Sequence, residues 1–253
     1  MTRFVSGQSS AYCGPAAEPG QLGSAWNGDP VLITLLALLA LAGGALAMQR
    51  GARAGLRNPA LLGAWLLAFL LFVTPLCAMA VALFSMRAVN HLLLVAVLAP
   101  LLAYGLGGRR LTGGLTAAAL THAVVFWFWH APSPYTAALG DDGLYWLMQL
   151  SLLGSALWFW RALLARRGDI MATAGTLAGF AAQMGLLGAL IALAPDPLYA
   201  PHALSTAPWT LTALEDQQLA GLIMWVPGVL PYLAALGLGV ASALRRGGEH
   251  AAR

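Results

Sequence analysis

Of the 253 residues, 60% are hydrophobic and only 9% are charged, with a mean hydropathy of +0.76, whereas a soluble domain carries roughly a quarter charged residues. This composition excludes a water-soluble domain and identifies an integral membrane protein. The formal charge is +4 and every one of the 13 basic residues is Arg. Those arginines sit in short clusters between apolar runs without interleaved aromatics, which argues against a nucleic-acid partner and for loop charge that orients spans in a lipid bilayer.

Residues 1–30 form a polar tail rich in Gly, Pro and Ser. Arg3 is not followed by the apolar core of roughly 7–15 residues that a cleaved signal peptide needs; the first apolar run starts at Val31. A membrane span takes about 20 mainly apolar residues, and seven stretches qualify: 31–49, 59–83, 89–107, 111–130, 143–164, 169–195 and 217–243. The expected fold is therefore an all-α bundle of seven transmembrane helices over 31–243, followed by a basic tail at 244–253. Cys77 lies inside the second apolar run and Cys13 in the polar tail, a placement that does not predict a bridge between them.

Arg50, Arg53 and Arg57 follow the first span, Arg109 and Arg110 the third, Arg161, Arg166 and Arg167 close the fifth, and Arg245, Arg246 and Arg253 follow the seventh. These alternate connections share one side, and by the positive-inside rule that side is the cytoplasm. The N-terminus is then outside and the C-terminus inside. Seven acids lie on the outer side: Glu18, Asp29, Asp141, Asp142, Asp196, Glu215 and Asp216. The two longer outer connections, 131–142 and 196–216, contain no basic residue.

Candidate chemistry gathers at the outer ends of the spans. His91 opens the third span and His130 closes the fourth; His122 lies about 12 Å deeper at 1.5 Å per residue, and His202 is in the outer loop. Cys77, Met79, Met86, Met148 and Met224 fall at similar depth. Thiolate, thioether and imidazole suit Cu(I), so Cys77, Met79, Met86, His91, His130, Met148 and Met224 form a candidate copper-handling surface. The competing reading is that Met is common filler of apolar helices, and no HxxxH or CxxC spacing occurs. Arg87, one turn before His91, either snorkels to the headgroups or pairs with an outer carboxylate such as Asp216.

Thr212 and Glu215 have the S/T-x-x-E form of a capping box, and Asp216 suits the first turn of the helix that follows. Gln217, Gly221, Met224 and Gly228 recur at helical spacing and make one narrow, small-residue face, which predicts close approach of a neighbouring helix. Pro227 and Pro231 should bend that span.

The stretch EDQQLAGLIMWVPG, from Glu215 to Gly228, closely resembles the last-span signature of the CtaG family of multi-span cytochrome c oxidase assembly factors. NHLLLVAVLAPLLAYG from Asn90, FWHAPSPYTAAL from Phe128 and APDPLYAPHALSTAPWTLTALEDQQ from Ala194 agree in order. The family meant is the caa3-type, multi-span one, and not the single-span copper chaperone that shares its name. The resemblance covers about residues 60–243. It implies a non-enzymatic, multi-pass protein of the bacterial inner membrane that helps to mature a haem–copper oxidase, through its copper centre. An oxidase subunit is the implied membrane partner, with a periplasmic copper chaperone as a further one. His91 matches the second His of the family's HxxxH, His130 its WHxP histidine, and Asp216, Gln217, Gln218, Met224 and Trp225 the last-span motif. The chain departs from the pattern at Arg87, Tyr145 and Gln149, where the family has histidines. Two other classes compete. A haem- or quinone-linked oxidoreductase would need paired axial histidines, and a copper transporter would need polar groups through the inner halves, which are nearly bare.

Overall fold

The computed structural model describes residues 11–51, 55, 57–107, 114–166 and 169–251, the last ten through their backbone alone. Among the described residues there are helices and no strand, as expected where backbone groups must be satisfied without water. Each of the seven predicted stretches contains helix.

Asp29 caps α1 (Pro30–Arg50), its carboxylate accepting from the Val31 amide, with Pro30 in the first turn where its missing N–H costs nothing. Helix α2 (Arg57–Phe72) breaks at Thr74–Pro75 and resumes as α3 (Leu76–Ala82), bent away by 46°. Leu83 is extended, and α4 (Phe84–Leu93) then runs through a π turn at Leu94–Leu98 into α5 (Ala99–Leu106). That widened turn precedes Pro100, whose missing N–H interrupts the helical ladder; the Trp160 indole donates to the Val95 carbonyl at 2.8 Å. After α6 (Leu115–His130), the predicted loop holds a further helix, α7 (Pro132–Gly140). Ala131, preceding Pro132, is extended, as a residue before proline prefers, and this sets the corner. Helices α8 (Asp142–Ala165), α9 (Ile170–Ala192) and α10 (Ala213–Trp225) follow, and a 3₁₀ turn at Pro227–Val229 leads into α11 (Leu230–Ala251).

Among the described residues, five stretches are long and apolar enough to cross a membrane: Pro30–Arg50, Phe84–Leu106, Asp142–Ala165, Ile170–Ala192 and Ala213–Ala241. The bent pair α2–α3 makes a sixth, and α6, with 16 residues, falls short of that length. The predicted start of its span, 111–113, lies outside the described residues. Outward faces are apolar, including Leu35, Leu38, Leu39, Leu120, Val124 and Leu147, a pattern that suits lipid rather than water.

The small-residue face expected on the last span is present. Gln217, Gly221, Met224 and Gly228 are all buried, and their neighbour is α9. A β-carbon on Gly221 would stand 2.5 Å from the Ala192 nitrogen and the Gly188 oxygen, so α9 and α10 meet backbone to backbone, as small residues permit.

At one end of the bundle, arginines converge on the C-terminus of α5. Arg50 donates to the carbonyls of Gly105 at 2.8 Å and Leu106 at 2.9 Å, and Arg161 to that of Gly107 at 2.9 Å. The Arg57 guanidinium carbon lies 3.2 Å from where a Gly107 β-carbon would be. Cations here answer the negative end of the helix dipole. Of the remaining predicted loop arginines, Arg3, Arg53, Arg109, Arg110, Arg167 and Arg253 lie outside the described residues, as do the side chains of Arg245 and Arg246. The histidines discussed below occupy the opposite end.

Candidate functional site at the histidine end

The first feature of this end contradicts the expectation for the cysteines. Cys13 and Cys77 form a disulfide, with Cα atoms 5.3 Å apart across a separation of 64 residues. A straight second span would have kept Cys77 within the bundle's length; the break before α3 turns that segment aside, and residues 11–29 fold back over it. The Ala17 amide donates to Ala78 at 3.4 Å, the Asn27 amide to Val73 at 2.9 Å, and the Trp209 indole to Ala17 at 3.0 Å. Tyr12 stacks on Tyr145 with centroids 5.0 Å apart and donates to Asp29. Burial, reinforced by that carboxylate, pushes the Tyr12 hydroxyl above its ordinary range. Cys77 is therefore not a thiolate and leaves the candidate copper set.

Asp216 does not pair with Arg87. Its carboxylate accepts from the Phe84 amide at 2.6 Å, from the Ser85 amide at 3.2 Å and from the Ser85 hydroxyl. The residue preceding α4 is Leu83, which has no side chain able to cap, so a carboxylate from α10 satisfies the first amides of another helix. The capping box at Thr212 and Glu215 forms as the sequence predicts. Gln217 joins three segments: its Oε1 accepts from Leu198 at 2.6 Å, and its Nε2 donates to Ile191 at 3.2 Å and Asp196 at 3.4 Å. Gln218 is half-buried and Trp225 largely exposed, its ring lying over Gly185.

Arg87 neither snorkels nor reaches a carboxylate. It is 1% exposed, its guanidinium lies 5.4 Å from the centroid of the Tyr145 ring, and the Tyr145 and Tyr135 hydroxyls are near enough to act on it electrostatically. Among the described residues, none of its three nitrogens has a hydrogen-bond acceptor in good geometry. One turn deeper on α4, both ring nitrogens of His91 also lack partners, as do both amide atoms of Gln149. Gln149 follows Tyr145 by four residues on α8, so it shares the face turned to Arg87.

The His91 and His130 rings meet edge to face with centroids 5.4 Å apart. Nδ1 of His130 lies 2.7 Å from the Phe126 carbonyl; a carbonyl only accepts, so Nδ1 carries the proton and Nε2 the lone pair. Met148 and Met224 are fully buried, while Met79 and Met86 are half-buried. Met184, not singled out from sequence, is buried too, and its methyl lies 3.1 Å from where a Gly228 β-carbon would be. Two lone-pair imidazoles side by side suit a soft cation of low coordination number. Among the described residues, no group of three or more His, Cys, Asp or Glu could hold a metal ion.

Sequence reasoning also missed the aromatic floor of this end. Tyr135 donates to His202 Nε2 at 2.7 Å, and His202 Nδ1 donates to Ala82 at 3.3 Å. Tyr199 donates to the His130 carbonyl at 2.7 Å and stacks on Phe84, centroids 3.7 Å apart. Burial pulls the His202 imidazole down from its usual 6.5 to about 4. His202 thus ties the loop and α7 to the end of α3 as a neutral ring. A groove of about 340 Å³ near the arginine end is lined by apolar side chains such as Trp160, Leu163 and Leu236, and offers no comparable chemistry.

A sequence model of the family described as cytochrome c oxidase caa3 assembly factor matches residues 40–246, most of the chain and every side chain of this end apart from the tail. Searches of curated proteins and of solved structures return no match.

Proposed function

The chain belongs to the family of caa3-type cytochrome c oxidase assembly factors, and from that premise we propose that it helps to mature the copper centre of a haem–copper oxidase from the outer side of the bacterial inner membrane. The observation that carries the reading is the His91–His130 pair, with ring centroids 5.4 Å apart. Copper is the cargo, an oxidase subunit the membrane partner, and a periplasmic copper chaperone the donor; no catalytic step is assigned. Cu(I) is soft and accepts few ligands, so two imidazoles supported by the thioethers of Met148 or Met224 match what it needs without a thiolate.

Sidedness rests on two features at opposite ends. The disulfide joining Cys13 to Cys77 is of a kind that persists in an oxidising compartment, which supports a histidine end facing outside. The cluster of Arg50, Arg57 and Arg161 at the other end obeys the positive-inside rule. With α2–α3 as one bent span, α4–α5 as another, α10–α11 as the last and α6 as a short crossing, the membrane domain has seven spans and an outer N-terminus.

The test uses membranes from cells lacking the chain. Oxidase activity should be low, and the isolated oxidase should hold normal haem but deficient copper, partly restored by added copper. A fully active oxidase with an unchanged copper-to-haem ratio would remove the reading.

A further inference from the structure

Among the ionisable side chains, arginine alone has no means of becoming neutral when it is buried, because its pKa stays far above any working pH. A buried Lys, His or carboxyl sheds its charge by titrating; a buried guanidinium needs an opposite charge or a full set of acceptors. Arg87 has neither among the described residues. None of its nitrogens makes a hydrogen bond in good geometry, and the Tyr135 and Tyr145 hydroxyls beside it bring two oxygen acceptors for five N–H donors. It is 1% exposed, and the one buried carboxylate of this end among the described residues, Asp216, is turned to the first amides of α4. The orphaned groups around it form a set. Arg87 and His91 are four residues apart on α4, and Tyr145 and Gln149 four apart on α8, so each pair occupies one helix face; the Arg87 side chain bridges the two, its guanidinium 5.4 Å from the centroid of the Tyr145 ring. The guanidinium only donates, while the amide and imidazole each donate and accept, so donors outnumber acceptors.

We propose that Arg87, with Gln149 and His91 one turn deeper, binds a small monovalent inorganic anion of the chloride or hydrogencarbonate class between α4 and α8. The anion supplies the negative charge the protein withholds. Enclosure by Tyr135, Tyr145 and Met148, each at most 2% exposed, restricts the site to a small ion that sheds its water. The proposal does not depend on copper: it follows from the unpaired charge alone, and it holds whether or not the neighbouring imidazoles take a metal.

The experiment is thermal unfolding of the purified full-length protein in lipid nanodiscs. Sodium gluconate, whose anion is too large for the site, is replaced stepwise by sodium chloride or hydrogencarbonate at constant ionic strength. The wild type should gain several degrees along a saturable curve. Arg87→Met should unfold at a temperature independent of the anion and above the wild type in gluconate, because the unpaired charge is gone. Gln149→Leu keeps the charge and removes a donor, so its half-maximal anion concentration should rise about tenfold, the effect of losing roughly one charge-assisted hydrogen bond. If Arg87→Met fails to fold, Gln149→Leu and the wild-type titration still decide the matter. Identical wild-type unfolding in chloride, hydrogencarbonate and gluconate would overturn the proposal. So would an anion response that persists undiminished in Arg87→Met or Gln149→Leu.

Discussion

At the arginine end, Arg50 and Arg161 donate to the carbonyls that close α5. At the histidine end, Arg87 sits inside the protein over an aromatic ring, with two tyrosine hydroxyls nearby but no hydrogen bond in good geometry and no carboxylate among the described residues. The same side chain is a helix cap in one place and an unmet demand in the other. The difference teaches how to separate architecture from function in this chain. Asp216 and Gln217 are polar and buried, and each has its partners in the fold, as do the exposed Thr212 and Glu215 of the capping box. Arg87, His91 and Gln149 are polar and buried without partners, and unsatisfied buried groups of that kind demand a reason outside the static fold.

Three perturbations sharpen the contrast between the ends. The largest acts on the tail that covers the histidine end: Cys13→Ser removes a crosslink spanning 64 residues and should cost roughly 2–4 kcal/mol. It should also open residues 11–29 to protease in intact nanodiscs; an unchanged digestion pattern would mean the other tail contacts suffice. A smaller effect comes from acid. Unfolded, His202 takes up a proton below about pH 6.5, whereas in the folded protein it resists until about pH 4. Stability from this residue is therefore complete above the unfolded value and falls as the pH drops between the two, by on the order of 1 kcal/mol at pH 5.5. Comparing wild type with His202→Gln from pH 7.5 to 5 isolates that share; equal pH slopes would remove it. The smallest effect is at the arginine end. Arg50→Gln removes an Arg whose carbonyl partners are the buried Gly105 and the exposed Leu106 at a helix end, so unfolding should shift by less than about 0.5 kcal/mol, and a loss several times larger would erase the distinction between the two ends.

Much of this architecture is legible in the sequence because it follows from local rules. Each apolar run of span length contains helix, though the second and seventh are broken and the last helix runs to Ala251; the Thr212–Glu215 box capped α10, and the Gly221 face found its partner helix. The differences lie in tertiary path and in one local helix. The apolar run 59–83 reads as one span with no break at Thr74–Pro75, and the 46° bend there is what brings Cys77 to Cys13. The connection at 131–142 carried Pro and Ser and so resembled a loop, yet Pro132 starts helix α7. Asp216 could be placed in a first turn from its spacing, but not at the N-terminus of a helix more than a hundred residues away. Of the candidate site, the nearness of His91 and His130 was anticipated from their shared depth. The burial of Arg87 and its company with Tyr145 and Gln149 was not, because a charge at a span end gives no sequence sign of whether it faces headgroups or the interior.

The central claim is that the imidazole pair at the histidine end serves oxidase maturation. It is tested most directly by returning His91→Gln/His130→Gln, and separately Arg50→Gln, to cells lacking the chain, then measuring the copper-to-haem ratio of the purified oxidase at matched membrane levels of each variant. The account predicts a copper-poor, haem-replete oxidase with the double histidine variant and a normal ratio with Arg50→Gln. A normal ratio with both would contradict it.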